Sequence, residues 1–139
     1  MCWESIHTPI LSIAEERVPI FKITHKGLIS YYQNFQYELN KEYSMKLESP
    51  IIESYNSSTS LIHCRIFKGF HSYSPQKIKI FPTYINEFMV IVNHTVLEVY
   101  DNDTTIKVDG YLPIGTKYYI NELGEIVSDK IVLTKTERV

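Results

Sequence analysis

Alanine is nearly missing from this chain: a single copy, Ala14, stands against 11 tyrosines in 139 residues. A sequence without its best helix former, yet rich in tyrosine and β-branched residues, favours sheet over helix. Cysteine is also scarce. Cys2 and Cys64 are the two copies, which builds no disulfide framework. The five glycines stand apart from one another, so no glycine-rich phosphate loop exists. No long apolar run reads as a membrane span, and Glu4, His7, Glu15 and Glu16 interrupt the N-terminal apolar residues where a signal peptide would need continuity. The expected location is the cytoplasm. The sequons at Asn56, Asn93 and Asn102 are then chance matches.

Charge is equally unremarkable. Fourteen basic and sixteen acidic residues are mixed along the chain for a net −2, a field that neither gathers polyphosphate nor steers the protein to an anionic membrane. Nucleic acid and membrane are not expected partners. The hydrophobic and charged fractions, 44% and 22%, are those of a globular protein. A chain of this length hides roughly two-thirds of its unfolded surface, enough for one domain without metal or disulfide.

Periodicity sets the expected elements. In VPIFKIT (18–24), Val18, Ile20 and Lys22 fall on one face and Phe21 and Ile23 on the other, before a turn at Lys26-Gly27. Residues 28–39 read as a strand with an irregular turn at Gln33-Asn34, and KEYSMKL (41–47) as a short strand. LIHCRIF (61–67) alternates, with Ile62, Cys64 and Ile66 as the better core face. Ser74-Pro75 has the chemistry of an N-cap followed by a first helical position, so SPQKIKIF is the best helix candidate. FMVIVNHTVLEVY (88–100) is the richest β stretch. DNDTT (101–105) is a turn, and TIKVDGYLP is a strand. Residues 115–120 and 126–133 make a hairpin in which Gly124 supplies a positive φ. The expectation is a single α+β, mainly-β domain over residues 1–139. It has seven or eight short, mostly antiparallel strands, one or two short helices and a frayed tail at 134–139.

Catalytic and metal signals are weak. His63 and Cys64 are adjacent on a strand and point to opposite faces, and no CxxC, HxxxH or HExxH spacing occurs. Loss of Met1 would expose Cys2 with a free α-amine, the arrangement of an N-terminal nucleophile; the plain alternative is an unreactive thiol beside Trp3. Neither a metal nor a cofactor is expected. The notable cluster is KGFHSYS (68–74). Lys68, Phe70, His71, Ser72 and Tyr73, with Arg65 on the preceding strand, combine ring faces, hydroxyl donors and positive charge, the groups that hold a flat or phosphorylated small molecule. The plain alternative is a strand end whose aromatics plug the core. Lys117, Tyr118 and Tyr119 form a second such patch, and a hairpin corner is its plain alternative.

These elements carry a resemblance. FQYELNKEY (35–43), KGFHSYS and LPIGTKYYINELGEIVSDKIVL (112–133) resemble a group of small uncharacterised bacterial and phage-encoded proteins with FxYE…KxY, GFHSY and PxGTxYY…GEIVSDKI elements. The order of a FHSYS turn before a PxGTxYY…E hairpin is similar to the core of ADP-ribosyltransferases, which bind NAD in a split β-sheet. Here Glu125 is followed two residues later by Val127 and not by a second acid. The aromatic and hydroxyl cluster without catalytic partners points to a non-enzymatic binding module for a small phosphorylated or nucleotide-derived ligand near the FHSYS turn. The likeness to ADP-ribosyltransferases is compatible with a nucleotide-derived one; in a phage such a module would sequester a host immune signal. The alternatives are an NAD-using transferase acting through Glu125 and His71, or a protein-interaction subunit. The tyrosine surface implies a homo-oligomer.

Overall fold

The computed structural model describes residues 3–31, 35–59, 61–66, 68–83 and 85–137. Fourteen strands, all antiparallel, form three sheets, and no helix occurs among the described residues. The chain is therefore all-β, with more strands than expected and without the expected helices.

The large sheet has the order β2 (Ser12–Ile13), β12 (Lys117–Ile120), β13 (Glu125–Ser128), β7 (Phe70–Tyr73), β3 (Val18–His25), β11 (Thr105–Leu112), β14 (Lys130–Glu137), β4 (Glu42–Ser44). β13 and β14 are one run of chain interrupted at Asp129. Its amide donates to Lys117 O, its carbonyl accepts from the Met45 amide, and its carboxylate accepts from the Lys117 amide at 2.9 Å. The ladder that leaves β13 through β7, β3 and β11 thus returns to β14, and the sheet curls into a barrel-like wall. Ile20, Phe70, Val108, Leu112, Ile126, Ile131 and Leu133 from those five strands bury into one core. At Asp109/Gly110 the β11–β14 register shifts. A Cβ on Gly110 would lie 2.2 Å from Val132 O, so only glycine permits that approach.

Two three-stranded sheets cover the outside of this wall. One has the order β10 (Thr95–Asp101), β9 (Glu87–Val92), β8 (Lys79–Pro82). Its Phe88, Val90, Val92 and Tyr100 pack with Phe21 and Ile23, the outward residues of β3. The other has the order β1 (Trp3–Ser5), β6 (Leu61–Ile66), β5 (Ile51–Asn56). It is docked by Trp3 and Ile66 on Val127, with Tyr119 alongside at 6.1 Å between ring centroids. Trp3 Nε1 donates to Glu125 O at 2.9 Å and fixes that sheet against β13.

Three expectations are corrected. SPQKIKIF forms no helix: the Ile78 amide reaches Ser74 O at 3.0 Å in a single turn, after which Lys79–Pro82 pairs with β9. Pro82 is tolerated because β8 is an edge strand. Residues 28–39 form no strand among the described residues, only the isolated bridges of Ile29 with His25 and Gln36. The segment 88–100 is sheet as expected, in two strands turned at Asn93 and His94, which both take positive φ as a two-residue hairpin requires. Residues 134–137 do not fray but continue β14, with Thr136 opposite Val108 and Glu137 opposite Lys107. The turn expected at Gln33-Asn34 and the thiol of Cys2 lie outside the described residues.

Candidate functional site

The structure separates the residues that the sequence groups together. KGFHSYS is not the expected turn: Phe70–Tyr73 is strand β7, and its side chains alternate between faces. Phe70 and Ser72 point into the barrel. Tyr73 packs outside on Phe21, with ring centroids 5.4 Å apart. His71 stands half-buried on that same outer face. Lys68 is exposed before the strand. In the second patch, Tyr118 packs against the barrel core and Tyr119 against Trp3, while Lys117 is exposed. Of the expected site residues, Arg65 alone lines the cleft described next.

That cleft, of about 440 Å³, opens where β1 and β6 meet the β12–β13 turn and β10. Glu4, His63, Arg65, Glu122 and Glu125 line its polar side, and Ile6, Leu97 and Leu123 its apolar side. Alternation along β6 puts His63 and Arg65 outward while Cys64 and Ile66 go to the core, and burial pushes the Cys64 thiol pKa up. Glu4 stands opposite Arg65 in the ladder. The Arg65 guanidinium Nε lies 3.0 Å from Glu4 and 3.2 Å from Glu53. These are ion-pair distances without hydrogen-bond alignment, since the buried Nε has no hydrogen-bond partner among the described residues. The His63 ring nitrogens lie 3.4 Å from the same two carboxylates. The Arg65 cation of this wall is therefore already committed.

The opposite wall is built by Asn121. Its amide donates to Glu4 O at 2.7 Å and to Glu125 Oε1 at 2.9 Å, while its Oδ1 accepts from the Leu123 and Glu125 amides. A buried asparagine with all these groups engaged shapes the turn as an Asx motif, and Gly124 closes it at φ +89°. Glu122 is held by the Ser5 hydroxyl at 3.1 Å and the Ile6 amide at 3.2 Å. Burial, then the charges of Glu4 and Glu122, raise the pKa of the Glu125 carboxyl above its ordinary value against the opposing hydrogen bond from Asn121. Such a carboxyl accepts a proton or a cationic donor more readily than an exposed one.

A second polar feature lies inside the barrel. Lys22 is only 8% exposed, and burial lowers its pKa from 10.5 to about 8. Among the described residues it has no salt-bridge partner. The sequence placed Lys22 on the Ile20 face; nothing in it marked Lys22 as buried, or Asn121 as the organiser of the cleft, beyond asparagine's habit of opening turns. Among the described residues no group of three or more His, Cys, Asp or Glu is placed to hold a metal ion. No protein-family model, curated protein or solved structure matches the chain.

Proposed function

We propose that the chain is a non-enzymatic binding module whose ligand enters the cleft at Glu4, Glu122 and Glu125 and carries a protonated amine or guanidinium beside an apolar portion. One observation carries this reading. The half-buried Glu125 carboxyl spends Oε1 on Asn121, and burial, then the charges of Glu4 and Glu122, raise its pKa. A cation there relieves that repulsion, while Ile6, Leu97 and Leu123 accept the apolar part. Calorimetry against agmatine, spermidine and arginine esters tests it. Binding is expected for these, weakened by Glu125→Gln; silence across the set overturns the assignment.

A phosphorylated or nucleotide-derived ligand, with sequestration of a host signal as its use, is the competing binding reading. It rests on Lys68 and Lys117, which are exposed and form no ion pair among the described residues. NAD, ADP-ribose and cyclic oligonucleotides in the same calorimeter decide between the two. A transferase reading is favoured by one fact: Glu125 and His71 stand on the same face of the β7–β13 ladder, opposite Tyr73 and Val127. Incubation with labelled NAD separates it, because an enzyme consumes the cofactor and a binding module retains it.

A further inference from the structure

We propose that the outer face of the β8–β9–β10 sheet is a dimer interface, where two copies of the chain pack these faces together. The central strand is the starting point. Phe88–Val92 is apolar at every position; Phe88, Val90 and Val92 fill the core, which turns Met89 and Ile91 outward. Their ladder neighbours are apolar too. Phe81 and Val99 flank Met89, and Val96 flanks Ile91. Phe81, Val96 and Val99 are 52%, 47% and 45% exposed. A sheet with one face in water normally alternates, whereas an unbroken apolar run belongs to a strand covered on both faces. Among the described residues the inner face of β9 is fully covered, while Met89 and Ile91 on its outer face stand half-buried beside exposed Phe81, Val96 and Val99.

Charge identifies what covers it. The row through Val96 and Ile91 ends in Lys79, and beyond the apolar centre Glu87 stands opposite Asp101. A patch basic at one corner and acidic at the far edge complements itself. A two-fold axis sets Lys79 of one copy toward Glu87 and Asp101 of the other while the apolar rows meet. Three strands of this length present a face of only about 300 Å², against roughly 800 Å² per partner in a standard interface. Exposed Ile85 in the adjoining turn adds to the apolar surface. The dimer is accordingly weak and concentration-dependent.

Sedimentation velocity over a wide concentration range tests this. The wild-type chain is expected to pass from monomer to dimer. Val99→Glu should hold it monomeric, Lys79→Glu should weaken association at least several-fold, and Lys79→Glu with Glu87→Lys should recover it. Circular dichroism checks that each variant keeps its β signal, and Phe81→Lys replaces Val99→Glu if that variant does not fold. A wild-type chain monomeric at the highest concentration overturns the proposal. So does a dimer that Val99→Glu leaves intact, and failure of the double reversal overturns the two-fold pairing.

Discussion

The ammonium of Lys22 donates to the main-chain carbonyl of His71, across the β3–β7 ladder and inside the barrel. One rung from the Phe21–Tyr73 pair, Ser72 faces Lys22, 4% exposed and with no partner for its hydroxyl among the described residues. The ring of Tyr37 lies 5.7 Å from the same amine, within cation–π range. One carbonyl and one ring face are a thin shell for an ion with three protons to place, so this charge is held at a cost in stability.

That cost depends on pH in a defined direction. The amine titrates at about 8 in the folded chain against 10.5 when unfolded. Between those values the unfolded chain binds more protons, so stability falls as pH drops from 10.5 to 8 and is level below. The change amounts to about 3 kcal/mol. Lys22→Met is expected to be more stable than wild type at neutral pH by up to that amount, and to lose the rise between pH 8 and 10.5. Urea unfolding at both ends of the window measures it. A less stable variant would mean that the bond to His71 outweighs the desolvation.

Glu125 has the opposite sign. Its folded pKa is raised, so the folded chain keeps this proton longer, and stability is lost as pH rises from 4.5 through the folded value. Glu125→Gln removes that loss. Thermal unfolding at pH 4 and pH 7 is expected to show the variant gaining on wild type at the higher pH, even as it loses affinity for amines.

Asn121 is a positioning residue, and its loss should be felt in two measurements. Asn121→Ala removes two donated and two accepted hydrogen bonds, and the expected cost is about 2–4 kcal/mol. The cleft should weaken with it, since Glu125 loses the group that orients its carboxyl. Ser72→Ala is the contrast: its hydroxyl has no partner to lose among the described residues, and urea unfolding should place it level with wild type or above.

Gly110 tests the backbone approach of β11 and β14. A methyl group there meets Val132 O at 2.2 Å and Leu133 Cα at 3.0 Å, both main-chain atoms with no rotamer to yield. Gly110→Ala is expected to cost about 3 kcal/mol in urea unfolding. A neutral result would mean that β14 shifts freely along β11.

Local pattern made several elements legible. Alternation assigned the two faces of VPIFKIT, and Ile20 and Phe21 do lie in different cores. The same pattern picked out Cys64 and Ile66, and Gly124 marked the β12–β13 turn. Other signals misled for physical reasons. Ser74-Pro75 does start a turn, but Ile78 is drawn into the core beside Phe88 and Val90, and pairing with β9 is worth more than one capped turn. The FHSYS segment read as a turn, yet it is a strand whose consecutive residues divide between two faces.

Composition alone tilted this chain toward sheet, because one alanine against many tyrosines and β-branched residues favours strand over helix. Alternation settled which side chains share a face. What covers each face was decided by tertiary structure: which strand pairs with which, that the run through Asp129 bends to serve both ends of the barrel, and that Asn121, Glu4 and Glu125 meet although 117 residues separate the first two. Periodicity acts over a few residues, while long-range pairing depends on the whole chain finding mutually compatible faces.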